Sequence, residues 1–172
     1  MSTAPALTPT SYVVLGLLSF AGEATPYELK AGHAGSVGNF WPVPHSQLYA
    51  EPDRLAAAGL VTVRQEQGGR RRKHYAITDA GREALARWLA DAGTPPAELR
   101  EPALLKLFFG ADPARVAAGQ LDRHRARLAE YETLREALAG TPGSEGPVLT
   151  LDAGIEHERV WIAYWERLAA RR

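Results

Sequence analysis

The chain has 172 residues, of which 45% are hydrophobic, and it balances 20 basic against 20 acidic side chains without a single cysteine. The absence of cysteine excludes a disulfide framework and a thiolate zinc site, and the neutral balance gives no general reason to expect an anionic partner. The sequence contains neither an apolar run of about 18 residues nor a basic, signal-like N-terminus, so we expect a soluble cytoplasmic protein without a membrane partner.

Three helices are predicted in the first 60 residues, because apolar side chains recur at helical spacing between polar N-caps and terminal glycines. Thr10 or Ser11 is the predicted N-cap of the first helix. Thr25 and Pro26 provide the N-cap and the first-position proline of the second helix. The predicted helices cover residues 12–20, begin at Pro26, and cover residues 45–58.

The spacing of apolar residues then changes from helical to alternating, which is typical of strands. Residues 60–66 and 70–77 form two predicted strands around a glycine turn, and Thr78 begins a fourth helix. The order helix, helix, helix, strand, strand, helix predicts a winged helix-turn-helix with a two-stranded wing. The predicted inner residues of the fourth helix are Ala80, Ala84, Leu85, Trp88 and Leu89.

Four consecutive cations lie where the wing begins its return strand. A basic hairpin beside a helix-turn-helix can neutralise phosphates of duplex DNA and release their counterions. The alternative is an ordinary solvated hairpin tip, and the context of the wing favours DNA. The predicted phosphate contacts on the wing are Arg70, Arg71, Arg72 and Lys73.

A proline-rich segment, residues 93–96, divides the chain, since consecutive prolines cannot lie inside a helix. We expect a DNA-binding domain over residues 1–92 and an all-α domain over residues 93–172. Its helices are predicted over residues 99–109, 113–139 and 149–170, with a mobile loop over residues 140–147. Apolar stripes on these helices predict a homodimer interface.

Aromatic residues recur at helical spacing near the C-terminus. Aromatic side chains commonly line a pocket for a small aromatic effector, but they are also enriched at dimer interfaces. Both interpretations stay open. The histidines lack metal-ligand spacing, so no metal or other cofactor is expected. The candidate effector residues are His157, Trp161, Tyr164 and Trp165.

Seven segments of the chain together form a recognisable pattern: residues 12–18, 26–30, the Phe40-Trp41 pair, 45–51, 58–61, 69–71 and 75–82. With this pattern the N-terminal part resembles the PadR family of transcriptional regulators. The resemblance extends over residues 12–90, and the C-terminal half resembles the helical, virulence-activator-like domain of the longer members.

This resemblance implies a bacterial, dimeric repressor that binds a palindromic operator and responds to phenolic or hydrophobic compounds. The recognition helix would begin at His45 and enter the major groove. His45, Ser46 and Gln47 would then lie nearest the bases. Further predicted contacts with DNA come from Lys30, Tyr49 and Arg54.

Pro52 departs from the family pattern, which has leucine there. A proline removes one backbone hydrogen bond and clashes with the preceding turn. We therefore expect the recognition helix either to kink at Glu51 or to end there.

The sequence contains no nucleophile elbow, no phosphate-binding loop and no dinucleotide fingerprint, so we do not expect an enzyme. A winged helix that binds other proteins, without specific affinity for DNA, is the alternative to a DNA-binding regulator.

Overall fold

The computed structural model of the chain describes residues 6–68 and 71–171. The chain divides into two compact units, which meet in sequence at Pro95 and Pro96. Each unit is described by itself. No helix in the described part of the chain is both long and apolar enough to cross a membrane.

The N-terminal unit has the element order of a winged helix-turn-helix, which confirms the predicted fold class. A short first strand, which was not predicted, makes the sheet three-stranded, and a 3-10 turn over Val37–Asn39 precedes the third helix. The elements are α1 (Pro9–Ala21), β1 (Glu23–Ala24), α2 (Pro26–Ala34), α3 (His45–Ala57), β2 (Val61–Gln65), β3 (Lys73–Ile77) and α4 (Asp79–Ala90).

Helix α1 begins at Pro9, three residues earlier than predicted. Its N-cap is Thr8, not Thr10 or Ser11, and Thr8 and Ser11 form a reciprocal capping box. The helix ends at Gly22, whose φ of 76° suits a glycine. The predicted N-cap Thr25 and first-position Pro26 of α2 are confirmed.

The sheet order is β1-β3-β2, and both pairings are antiparallel. The register places Val63 opposite Tyr75, and Tyr75 is buried while Val63 is half exposed. The return strand is shorter than predicted, because it begins at Lys73 and Arg71 has a left-handed φ of 49°. The predicted strand alternation therefore does not extend to Arg71. Arg70 lies outside the described residues.

One apolar core joins the three-helix part of the N-terminal unit to its sheet. In α4 the predicted inner positions Ala84 and Leu85 are buried, but Ala80 and Leu89 are exposed. The half-exposed Trp88 stacks on Tyr12, with ring centroids 4.6 Å apart. The most deeply buried apolar residues are Val14, Leu15, Leu18, Leu29, Leu48, Leu55, Val61 and Tyr75.

Helix α3 continues through Pro52 to Ala57, so the alternative in which it ends at Glu51 is wrong. Pro52 is fully buried, which places its ring in the core of the unit. Burial of the ring helps to offset the backbone hydrogen bond that proline cannot donate. The first turn of α3, residues 45–47, lies N-terminal to Pro52.

The C-terminal unit is all helical, as predicted. Helix α7 begins at Glu145 behind Ser144, so Gly146 and Pro147 lie in its first turn and the predicted loop over 140–147 is too long. A proline fits there because the first-turn N–H groups have no intrahelical partners. The elements are α5 (Pro102–Phe108), α6 (Pro113–Leu138) and α7 (Glu145–Ala169), around a core of Ala103, Ala117, Leu121, Trp165 and Leu168.

Candidate nucleic-acid interface

The first turn of α3 presents three exposed polar side chains. His45, Ser46 and Gln47 follow Pro44, whose fixed φ of −55° leads into the helix. This turn contains no acidic residue, so the positive end of the helix dipole meets no carboxylate of its own. It offers hydrogen-bonding side chains and free backbone N–H groups to an acceptor-rich partner.

The Gln47 side chain is held from one side by the neighbouring helix. The hydroxyl of Thr10, near the start of α1, donates to Gln47 Oε1 over 3.1 Å. The amide nitrogen keeps both of its hydrogens for other acceptors. The geometry leaves Gln47 exposed and partly oriented at the start of α3.

Arg54 lies two turns further along α3 and contacts the protein itself. Its guanidinium binds both carboxylate oxygens of Glu51 and donates to Ser11 Oγ over 2.7 Å. Burial acts to raise the pKa of Glu51, but hydrogen bonds from Arg54 and Ser11 lower it below its ordinary value. Arg54 therefore joins α3 to the first turn of α1.

Lys73, at the start of β3, is also paired within the protein. Its Nζ lies 2.8 Å and 2.9 Å from the two carboxylate oxygens of Asp53 on α3. The buried Tyr75 hydroxyl donates to the same carboxylate over 2.8 Å. These hydrogen bonds, first from Lys73 and then from Tyr75, lower the pKa of Asp53. Burial and the Asp53 hydrogen bond raise the pKa of Tyr75.

A further ion pair lies in the wing hairpin. Arg72 Nε lies 3.4 Å from Glu66 Oε2, and Glu66 N donates to the Arg72 carbonyl over 2.9 Å. His74 Nε2 lies 2.9 Å from the other oxygen of Glu66. The exposed Arg71 is held through its backbone, since Gln65 Nε2 donates to its carbonyl.

The two remaining predicted contacts lie on the helices. Lys30 is partly buried near the end of α2, and Tyr49 on α3 is 45% exposed. That exposure places Tyr49 on the surface and not in the core, which the sequence could not decide. The structure thus brings predicted residues from α3 and the wing into one unit, with Lys73 of the wing paired to α3.

The four candidate effector residues form part of one aromatic cluster on α7. Trp161 stacks on Trp165 with centroids 5.6 Å apart, and Tyr164 meets Trp165 edge-on at 4.9 Å. Trp161 Nε1 donates to His157 Nε2 over 2.8 Å. Trp165 is fully buried in the core, and its Nε1 has no acceptor within the described part of the chain. Trp161 and Tyr164 are partly exposed.

A small cavity of about 70 Å³ lies beside this cluster, and none of the four predicted residues lines it. His124 joins the two features, since it lines the cavity and stacks on Trp161 with centroids 5.9 Å apart. Its Nδ1 hydrogen-bonds the buried Glu158. The other lining residues are Glu101, Gln120, Arg123 and Arg127.

Sequence reasoning missed the partners of the predicted residues. Thr10, Asp53 and Glu66 carry no local pattern that marks them as contacts of Gln47, Lys73 and Arg72. Their pairings depend on how α1, α3 and the hairpin come together, and no periodicity in one segment shows that.

Comparisons with known proteins bear on both units. Residues 14–87 match the transcriptional regulator PadR-like family, and residues 99–171 match the virulence activator alpha C-term family. The negative transcriptional regulator PadR of Bacillus subtilis is 29% identical over 173 residues, which cover 92% of this chain and 94% of that protein.

Two crystal structures of B. subtilis PadR are similar over nearly the whole chain. The complex with operator DNA has a TM-score of 0.82 at 26% identity and covers 96% of this chain and 99% of the other. The complex with p-coumaric acid has a TM-score of 0.74 at 24% identity, with 96% and 97% covered, and it bears on the fold alone.

The relatives are transcriptional regulators and not enzymes, which confirms the prediction that this chain is not an enzyme. The predicted family resemblance is likewise confirmed, for the winged helix and for the helical C-terminal unit. Residues 14–87 therefore resemble the PadR-like family of transcriptional regulators, and residues 99–171 resemble the virulence activator alpha C-term family.

Proposed function

We propose that this protein is a sequence-specific DNA-binding repressor that acts as a homodimer on a palindromic operator. The observation that carries the proposal is the exposed first turn of α3, which is polar and free of acidic residues. The first turn of a recognition helix is the part that meets base edges in the major groove. The operator complex of B. subtilis PadR, a negative regulator, supports the same function here.

The proposed base contacts come from His45, Ser46 and Gln47. Gln47 is the most specific of the three proposed base contacts, because an amide can form two hydrogen bonds with one base. The proposed phosphate contacts come from both helices and the wing, and Arg71 is one of the exposed cations of the wing. Arg54, Arg72 and Lys73 would have to exchange carboxylate partners for phosphate. The full phosphate set is Lys30, Tyr49, Arg54, Arg70, Arg71, Arg72 and Lys73.

We assign DNA binding to residues 1–92 and dimerisation to residues 93–172. Support for dimerisation comes from large apolar side chains that are more than 60% exposed in the C-terminal unit. An exposed apolar patch is typical of protein interfaces. A two-fold dimer would place two recognition helices about 34 Å apart along DNA. The exposed side chains are Leu99, Leu105, Phe108, Phe109, Leu149 and Val160.

We propose that a small aromatic effector binds at the α7 cluster and releases the protein from DNA. The partly exposed Trp161 and Tyr164 offer ring faces, and the buried Trp165 Nε1, which has no acceptor within the described part of the chain, would become a donor if the effector entered beside it. The p-coumaric acid complex of B. subtilis PadR suggests the class of compound. The alternative remains that these aromatic residues serve the core and the dimer. Function on DNA places the protein in the cytoplasm.

The experiment that tests base recognition is replacement of Gln47 by alanine. We expect Gln47→Ala to weaken binding to the operator by about 1–3 kcal/mol, because the amide's contacts with one base pair are lost. Binding to a scrambled duplex should hardly change. Fluorescence anisotropy on both duplexes measures the two losses. Equal losses on operator and scramble would contradict base recognition by Gln47.

A winged helix that binds other proteins remains the second candidate. The observation that favours it is the intramolecular pairing of Arg54, Arg72 and Lys73 with carboxylates. The salt dependence of DNA binding distinguishes the two functions, because phosphate neutralisation makes the affinity for DNA fall steeply as the salt concentration rises. Absence of DNA binding at low salt would favour the protein-binding function.

A further inference from the structure

We infer that Thr10 is a positioning residue that orients the Gln47 amide and thereby sets the base preference at the position Gln47 contacts. The inference rests on the proposed function, since it assumes that α3 meets base pairs. It adds a residue of α1, outside the recognition helix and the wing, to the determinants of specificity.

The contact itself joins two elements that are distant in sequence. Thr10 Oγ1 donates to Gln47 Oε1 over 3.1 Å across 37 residues. Thr10 is partly buried in the first turn of α1, whereas Gln47 is exposed at the start of α3. A side chain with three rotatable bonds on a surface would otherwise sample many rotamers.

The position of Thr10 is itself well fixed. Thr8 N donates to Ser11 Oγ over 2.8 Å, and Ser11 N donates to Thr8 Oγ1 over 3.4 Å, which closes the capping box around Thr10. Ser11 is fully buried and accepts from Arg54 of α3 over 2.7 Å. The hydroxyl of Thr10 therefore projects from a turn that is anchored both to its own helix and to α3.

The chemistry of an amide makes its orientation matter. One end accepts hydrogen bonds and the other donates two, so a rotation of the amide by half a turn exchanges donors for acceptors. Thr10 holds the oxygen toward α1 and leaves the two N–H groups directed elsewhere. Base edges in the major groove differ in their order of donors and acceptors. An amide held in one orientation discriminates between bases better than one that rotates freely.

The test uses the full chain and fluorescence anisotropy on the operator and on duplexes that each carry one substituted base pair. Gln47→Ala first identifies the base pair at which the preference is lost. Thr10→Val then removes the hydroxyl while keeping the side-chain shape, and Thr10→Ser keeps the hydroxyl. Thr133→Val is the matched control, because Thr133 is exposed on α6 and, among the described residues, its hydroxyl bonds only the Ala129 carbonyl.

We expect Thr10→Val to reduce the preference at the Gln47 base pair about threefold to tenfold, the size of one net hydrogen bond. Preferences at the other base pairs should stay as in the wild type. Thr10→Ser, which keeps the hydroxyl, should retain the wild-type preference at the Gln47 base pair. In the Gln47→Ala background, Thr10→Val should change nothing further. Thr133→Val should match the wild type on every duplex.

Three results would overturn the inference: an unchanged preference in Thr10→Val, an equal loss on all duplexes, or a loss that persists in the Gln47→Ala background. The last two would make Thr10 a phosphate contact or a folding residue. If the wild type bound operator and scramble alike, the proposed function would fail and the inference with it. That result is distinguishable, because it appears before any variant is compared.

Discussion

Arg54, Arg72 and Lys73 each lie beside a carboxylate of the same unit, so their charges are partly neutralised before any DNA arrives. The run Arg70–Lys73 predicted a uniform basic tip. The structure distinguishes its described members, since Arg71 is exposed at a left-handed turn whereas Lys73 binds Asp53. A cluster of like charges in sequence can therefore contain both phosphate contacts and structural pairs.

The difference between Arg71 and Lys73 is testable through the salt dependence of DNA binding. We expect Arg71→Ala to reduce the slope of log K against log salt by about 0.9, the value of one phosphate contact. Lys73→Ala should reduce the slope by less, because Lys73 must first leave its counterion Asp53 to reach a phosphate. Binding of the operator at several salt concentrations measures both slopes.

Lys106→Ala on α5 is the control for loss of one exposed cation in the other unit. An equal reduction of the slope by Arg71→Ala and Lys73→Ala would mean that Lys73 leaves Asp53 for phosphate. An unchanged slope in Arg71→Ala would remove Arg71 from the proposed phosphate contacts.

Among the elements, the junction of α4 with the start of β2 is packed too closely for a larger residue. A Cβ at Gly81 would lie 2.1 Å from the Leu60 carbonyl oxygen and 2.9 Å from Ile77 Cγ1. That carbonyl accepts the Thr78 N–H over 3.1 Å, which fixes the entry to α4. The backbone cannot move away without loss of this contact.

We expect Gly81→Ala to lower the free energy of unfolding by about 1–3 kcal/mol, the usual range for overpacking a core. Gly16→Ala on α1 is the matched control, because a Cβ there meets no atom within 4 Å. Alanine should stabilise that helix by about 0.5–1 kcal/mol. Urea unfolding of both variants measures the difference, and a neutral Gly81→Ala would contradict the packing argument.

Asp53 connects α3 to β3, and its effect on stability should depend on pH. Hydrogen bonds from Lys73 and Tyr75 hold its pKa below the ordinary value. A carboxyl of this kind stabilises the fold above its unfolded pKa of about 3.9, and the stability is lost as the pH falls through the folded pKa. Asp53→Asn should therefore lower Tm at pH 7 and have less effect well below pH 4.

Thermal unfolding at both pH values checks this expectation. Asp122→Asn on α6 serves as the control for loss of one exposed carboxylate in the other unit. A Tm difference between wild type and Asp53→Asn that stays constant with pH would show that the charge of Asp53 contributes nothing.

At the scale of the whole molecule, the sequence predicted the element order because its local signals agree with one another. The N-cap and proline of α2, the left-handed Gly59 after α3 and the glycine-rich hairpin each mark a boundary through local chemistry. The two-residue β1 escaped prediction, because it is a strand only through its pairing with β3. The alternative in which α3 ends at Glu51 was wrong for a related reason, since the burial of Pro52 in the core depends on tertiary packing.

The candidate site was predictable to a lesser degree. The identity of the exposed residues in the first turn of α3 followed from the position of the helix. Their partners, such as Thr10 for Gln47 and Asp53 for Lys73, depend on contacts between residues at least 20 positions apart. Such contacts are a property of the folded unit and leave no periodic trace in the sequence.

The measurement that tests the central claim most directly is anisotropy of labelled DNA from upstream of the protein's own gene, beside a scrambled duplex, at two salt concentrations. The account predicts tight binding to the upstream DNA, and weak binding to the scramble that falls steeply with salt. Failure to bind either duplex at low salt would contradict the claim that this winged helix binds DNA.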